Sequence, residues 1–120
     1  MIRQGEVYWL HFGAFEGSEP AGRRPAVVVQ HDRFNRGAIA TTVVAVVTSN
    51  LRLGVMPGNV RLRRGEAGLQ RPSVVNISQL RTVNRSRLGE RVGALGPGKL
   101  REVLAGLALL FGTEDPPEAF

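Results

Sequence analysis

The segment Gly17–Gln30, GSEPAGRRPAVVVQ, joins residues suited to phosphate chemistry to a strand that can hold them in place. A loop rich in glycine and proline carries Glu19, and Arg23 and Arg24 follow it directly before Pro25. A proline disfavours helical backbone in the residue before it, so Arg24 is predicted to be extended. A guanidinium is planar and matches the oxygens of a phosphate group. The segment therefore predicts an arginine aimed at a phosphate from the start of a buried strand.

Arginine and hydroxyl side chains permit one reaction on RNA that needs no metal. RNA carries its own nucleophile, the 2′-hydroxyl. A protein then has to help remove the hydroxyl proton, stabilise the pentavalent phosphate and protonate the leaving 5′-oxygen. Arginine suits the second task but is a poor base, because it stays protonated at neutral pH. Glu19, His11 and His31 are the better proton acceptors in this sequence.

Metal and nucleotide cofactors have little support in the sequence. The chain has no cysteine, and His11 and His31 stand far apart without an HxxxH motif, a carboxylate pair or a DxD motif beside them. The stretch GALGPGK lacks the GK[ST] ending of a phosphate-binding loop. We therefore expect no metal and no cofactor.

The charge of the chain points to a polyanionic partner. The 120 residues carry a net charge of +6 with a sequence pI near 11.4, and all but one of the 16 cations are arginine. This favours nucleic acid or an acidic protein as partner, the alternative being arginine usage that reflects GC-rich codons. The N-terminus lacks the apolar run of a signal peptide, and no stretch approaches the ~18 apolar residues of a membrane helix. We expect a cytoplasmic protein.

The apolar pattern predicts a mainly β fold with a C-terminal helix, in which several short strands form a small antiparallel barrel and the helix covers its open side. The helix is indicated by the spacing of Leu100, Val103, Leu104, Leu107 and Phe111, between Pro97 and a stop at Gly112. One domain is expected over residues 1–112, followed by a flexible acidic tail over 113–120. Strands are expected at Glu6–Phe12, Ala26–Gln30, Ala40–Ser49, Asn59–Arg63 and Ser73–Ile77, with two more at Gln79–Asn84 and Glu90–Leu95.

Three motifs in order resemble the MazF/PemK family of toxin endoribonucleases. They are GSE followed by RP and a valine strand, a Thr-Ser pair that ends the third strand, and the block QLRT. The resemblance runs from Gly5 to the terminal helix. It implies an SH3-like barrel, usually a homodimer, that cleaves single-stranded RNA at short sequences without a metal. The products would carry 2′,3′-cyclic phosphate and 5′-hydroxyl ends. An acidic, MazE-like antitoxin would block the RNA groove.

The resemblance also assigns roles to individual residues. The arginine before proline, Arg24, and the threonine that ends the third strand, Thr48, correspond to the catalytic pair, and Glu19 is a candidate proton acceptor. Tyr8 and Trp9 are interpreted mainly as core aromatics. The residues expected to bind RNA are Phe15, Ser18, Arg23, His31, Asn35, Ser49, Gln79 and Arg81. Three departures from the family pattern are Pro20, where many relatives have Gln, His11, where an acid is common, and His31, where relatives often carry a small polar residue.

Other readings of the same residues remain open. Arg24 without its motif would be a surface arginine paired to Glu19, and Thr48 an ordinary strand residue. Two further functions compete with RNA cleavage. One is a toxin of the same fold that binds DNA gyrase, and the other is a non-catalytic basic barrel that binds RNA. Only RNA cleavage needs the pair formed by Arg24 and Thr48.

Overall fold

Six antiparallel strands form one curled sheet in the order β4-β5-β3-β2-β1-β6. The computed structural model describes residues 1–13 and 22–112. Two α-helices accompany the sheet, and three 3₁₀ turns cover Leu51–Val55, Glu66–Gly68 and Arg85–Arg87. The elements are β1 Glu6–His11, β2 Arg23–Val28, α1 Asp32–Asn35, β3 Thr41–Thr48, β4 Val60–Leu62, β5 Ser73–Asn84, β6 Arg91–Ala94 and α2 Pro97–Phe111.

The expected mainly β fold with a C-terminal helix is confirmed, and the main difference lies in β5. The two strands predicted at Ser73–Ile77 and Gln79–Asn84 are one strand of 12 residues. Its register against β3 shifts between two neighbouring pairs, Ala45 with Leu80 and Val46 with Asn76. Residues 77–79 are therefore a bulge that breaks the alternation without ending the strand. The acidic tail predicted for 113–120 lies outside the described residues.

The two faces of the sheet carry different apolar clusters. Val27, Ala45 and Val47 point to the face covered by α2, where Val103 is fully buried. Alternate residues of the same strands, including Ala26 and Val28, pack in a second cluster on the opposite face. Because side chains alternate along a strand, this pattern also decides which face of the sheet is occupied by each residue near the ends of β2 and β3.

The helix α2 has the bounds that its end signals predict. Pro97 occupies its first turn, and Gly112 adopts a left-handed backbone with φ of 65° at its end. The helix has 15 residues, and nowhere in the described ranges is a helix both long and apolar enough to cross a membrane.

Gly106 lets α2 approach the loop before β4. A Cβ atom at Gly106 would clash with the carbonyl oxygen of Gly58, which is backbone and has little freedom to move. We expect Gly106→Ala to lower the free energy of unfolding by about 1–3 kcal/mol through overpacking, measured by urea denaturation.

Gly98→Ala is the matched control, because a Cβ there meets only the far end of Arg101 at 4.0 Å. This change should stabilise the protein by about 0.5 kcal/mol, since alanine loses less backbone entropy on folding. Equal effects of the two substitutions would contradict the packing argument.

Candidate active site

A cavity of about 550 Å³ lies at one end of the strands, where β1 and β3 end and β2 begins. Residues 68–71, 73 and 90–92 complete its lining. Arg23, Arg24, Thr48 and Ser49, all predicted site residues, line this cavity together. The structure thus brings residues of five strands, β1, β2, β3, β5 and β6, and of the segments between them to one place.

Arg24 and Thr48 lie near adjoining ends of the neighbouring strands β2 and β3. The β2–β3 ladder ends at the pair of Ala26 and Val46, and each of the two residues lies two positions beyond that pair. Both side chains belong by alternation to the same face of the sheet. Arg24 also pairs with Leu10 of β1, so its backbone is held within a ladder and not in a free loop. Strand pairing therefore brings the backbones of these two residues to the same end of the sheet.

The Thr48 side chain also shapes the chain that leaves β3. Its Oγ1 accepts a hydrogen bond from the backbone N–H of Asn50 at 3.1 Å. A hydroxyl that accepts one bond keeps its own proton available for donation to a second group. Thr48 is half-buried and Ser49 is exposed at the cavity. The hydrogen bond from the Asn50 N–H thus orients the hydroxyl of Thr48.

The Arg23 side chain belongs to the opposite face of β2 from that of Arg24, and it stacks on Trp9. Its guanidinium carbon is 4.1 Å from the centre of the Trp9 ring, a distance typical of a cation–π contact. Trp9 is half-buried and lines the cavity, so its interpretation as mainly a core residue is incomplete. Tyr8 fits that interpretation better, because it packs against the second apolar cluster.

Arg91 is held at the cavity by a network on β1. Its Nε donates to Glu6 Oε2 at 2.8 Å, while Glu6 Oε1 accepts from the Tyr8 hydroxyl at 3.0 Å and the Arg3 N–H at 2.6 Å. Burial of Glu6 opposes its ionisation, but these hydrogen bonds outweigh it, so the pKa of this carboxyl lies below its ordinary value. Glu6 is therefore a fixed negative charge that positions Arg91.

The turn at residues 66–68 packs closely against β6 and closes one side of the cavity. A Cβ at Gly68, whose φ is 77°, would clash with the carbonyl oxygen of Val92. Ser73 is buried, and its hydroxyl donates to the Arg71 carbonyl at 2.9 Å. Arg71 thus reaches the cavity from the segment between this turn and β5.

The cavity is strongly cationic. Within the described part of the chain, its lining includes Arg23, Arg24, Arg71 and Arg91 against one carboxylate, that of Glu90. Glu6 compensates the charge of Arg91 from outside the lining, and the other three arginines still outweigh Glu90, so the cavity attracts a phosphate backbone. Sequence reasoning did not single out Arg71, Glu90 or Arg91, because their approach depends on the strand order.

Several other predicted RNA-binding residues lie elsewhere. His31 caps α1 by accepting from the Arg33 N–H at 3.0 Å, and it lines a separate, mainly apolar groove of about 490 Å³. Arg81 pairs with Val44, on the face that also carries Arg24 and Thr48 but about 13 Å along the strand from Thr48. Gln79 lies in the β5 bulge. Phe15, Ser18 and Glu19, and the departure at Pro20, fall outside the described residues.

Asn35 requires a correction. Only 1% of its surface is exposed, and its amide bonds Gln30, Asp32 and the Thr42 hydroxyl. An amide buried and bonded in this way holds α1 against β3. It is not available to a ligand in this structure, so the RNA contact expected of it does not fit.

Comparison with known proteins supports the resemblance over nearly the whole chain. Residues 3–111 match the family described as PemK-like, MazF-like toxin of type II toxin–antitoxin systems. Endoribonuclease MazF6 of Mycobacterium tuberculosis is 43% identical over 107 residues, which is 89% of this chain and 94% of that protein. Endoribonuclease MazF2 of Mycobacterium bovis matches to the same extent.

Solved structures agree with the sequence comparison. MazF from Deinococcus radiodurans superposes with a TM-score of 0.74 at 31% identity, covering 92% of this chain and 96% of that one. A mycobacterial endoribonuclease solved with its cognate antitoxin has the same fold, with a TM-score of 0.80 at 22% identity over 97% of this chain and 100% of that one. The chain therefore belongs to the PemK/MazF family of toxins of type II toxin–antitoxin systems.

Proposed function

We propose that this chain, an endoribonuclease toxin, cleaves single-stranded RNA at short specific sequences by a metal-independent transesterification. The observation that carries the proposal is the presence of Arg24 and Thr48, from adjoining ends of β2 and β3, in the lining of one arginine-rich cavity. A gyrase-binding or purely RNA-binding barrel has no need of such a pair. The catalytic positions are therefore Arg24 and Thr48, with Arg23 and Ser49 beside them as RNA contacts.

The proposed reaction breaks one P–O bond and forms another. The 2′-oxygen attacks the adjacent phosphorus as its proton leaves, and the bond to the 5′-oxygen breaks as that oxygen gains a proton. The products are a 2′,3′-cyclic phosphate and a 5′-hydroxyl. Negative charge grows on the phosphoryl oxygens, where the Arg24 guanidinium and the Thr48 hydroxyl can donate hydrogen bonds. Glu19, outside the described residues, remains the proposed proton acceptor.

Two protein partners complete the proposal. An acidic, MazE-like antitoxin fits the net charge of +6 and the cationic cavity, and MazF of Deinococcus radiodurans has been solved with MazE. A homodimer is proposed on the family's usual assembly. Apolar side chains for such contacts are exposed on this chain at Phe34, Ile39 and Phe111. The proposed site of action is the cytoplasm.

The test is cleavage of a long single-stranded RNA in EDTA, beside a DNA of the same sequence. We expect discrete RNA fragments with 5′-hydroxyl and 2′,3′-cyclic phosphate ends, and intact DNA, because DNA lacks the 2′-hydroxyl. Cleavage that requires a divalent cation, or that also occurs on DNA, would contradict the mechanism. Salt-sensitive binding without products would favour the RNA-binding barrel, and inhibition of gyrase without RNA cleavage would favour the gyrase-directed toxin.

A further inference from the structure

We propose that Glu90 and the Trp9–Arg23 stack form a base-binding subsite that prefers a base with an exocyclic amino group over uracil. The inference rests on the proposed function, because it places an RNA base in the same cavity. It adds a specificity determinant in a loop that none of the three sequence motifs includes.

Glu90 is fixed next to Trp9 by the backbone. The Trp9 N–H donates to the Glu90 carbonyl at 3.0 Å, and the Gly89 N–H donates to the Trp9 carbonyl at 2.7 Å. These two bonds pair the loop before β6 with β1. A Cβ at Gly89 would lie 3.0 Å from the Trp9 carbonyl oxygen, so the approach is close. The Glu90 side chain therefore starts from a defined position at the cavity wall.

The Trp9–Arg23 stack provides a flat surface for a base. The guanidinium carbon of Arg23 lies 4.1 Å from the centre of the Trp9 ring, so the indole covers one face of the guanidinium plane. Arg23 is exposed at the cavity, so a base can stack on the opposite face. Bases stack on aromatic rings and on guanidinium planes alike, and such stacking is tolerant of sequence. The stack would hold a base without choosing which one.

The Glu90 carboxylate would make that choice. An ionised carboxylate only accepts hydrogen bonds, so it pairs with the amino groups of cytosine, adenine or guanine. Uracil offers it only the N3–H, which is flanked on both sides by carbonyl oxygens that repel the carboxylate. The ion pairs between described residues do not include Glu90, and the neighbouring Arg91 is bound to Glu6. A negative charge also weakens phosphate binding in this cavity. Its useful contact is therefore with a base edge.

The test compares base preferences of the wild type, Glu90→Gln and Glu102→Gln on a random-sequence RNA pool, read from the 5′-hydroxyl ends. Glu102 is an exposed carboxylate of α2 outside the cavity lining, so Glu102→Gln matches the charge change. We expect one position at which the wild type strongly disfavours uracil. Glu90→Gln should reduce this preference about tenfold, because an amide can also donate to a carbonyl. Glu102→Gln should leave it unchanged.

A second experiment, which measures binding without cleavage, tests this inference separately from the proposed function. Fluorescence anisotropy would measure the affinity of 2′-deoxy oligonucleotides that differ by cytosine or deoxyuridine at each position. A cytosine preference that Glu90→Gln removes would support the subsite even if no RNA is cut, in which case only the proposed function fails. Arg23→Lys, which keeps the charge and loses the plane, should weaken binding of both oligonucleotides.

Two results would overturn the subsite. One is the same base preference in the wild type and Glu90→Gln, in both the cleavage and the binding measurement. The other is loss of cleavage at every sequence in Glu90→Gln with unchanged binding ratios, which would instead assign Glu90 to proton transfer. A general increase in affinity from the lost charge would act on all oligonucleotides equally and leave their ratio unchanged.

Discussion

Arg24→Ala is expected to lower the rate of RNA cleavage about a thousandfold while the protein stays folded. The size follows from the loss of a charged donor aimed at the transition-state phosphate, which typically costs between a hundredfold and several thousandfold. Arg24 lies in the ladder with β1 through its backbone, so alanine preserves the pairing with Leu10. The rate would be measured under single-turnover conditions with a fluorogenic RNA, and the fold by circular dichroism.

Two further variants separate the geometry of Arg24 from its charge. Arg24→Lys keeps the positive charge but loses the two-pronged donor, and we expect an intermediate rate. Arg101→Ala removes one charge from the exposed surface of α2, outside the cavity lining, and should change the rate by less than about threefold. Equal losses in Arg24→Ala and Arg101→Ala would mean that net charge alone matters, and the assigned role of Arg24 would be wrong.

The elements that sequence reasoning located best are those with complete local signals. The valine- and threonine-rich run around Ala45 predicts β3 to within a residue at each end, and Pro97 and Gly112 frame α2. The β5 strand was divided in the prediction because the bulge at residues 77–79 interrupts the period of two. A local pattern cannot distinguish a bulge from a chain reversal, since each resets the alternation.

The candidate site could be predicted only in part, because some of its residues belong to local motifs and others depend on long-range strand order. Arg24 and Thr48 belong to motifs on adjacent strands, and antiparallel pairing brings such ends together. Arg71 reaches the cavity from the segment that follows the 3₁₀ turn Glu66–Gly68. Glu90 reaches it through the pairing of β6 with β1, at the edge of the sheet far from β5. That strand order is a long-range property that composition and periodicity do not encode. Conversely, Asn35 looked like a polar loop residue, but its burial depends on tertiary contacts with β3.

Thr48→Val is expected to slow RNA cleavage about a hundredfold, because it replaces the hydroxyl by a methyl group of nearly the same size. Valine also favours strands, so β3 should keep its pairing with β5. The hydrogen bond from the Asn50 N–H is lost as well, at a cost of about 1 kcal/mol in the free energy of unfolding. Single-turnover cleavage and urea denaturation would measure the two effects on the same sample.

Thr48→Ser and Thr82→Val complete the argument for the hydroxyl. Serine keeps an oxygen at the same position, so Thr48→Ser should retain a rate within about tenfold of the wild type. Thr82 is an exposed threonine of β5 outside the cavity lining, and Thr82→Val should leave the rate unchanged. If Thr48→Val cleaves as fast as Thr82→Val, the hydroxyl takes no part in the reaction. Arg24 would then act without a partner on β3, and the facing geometry of the two strands would serve the fold alone.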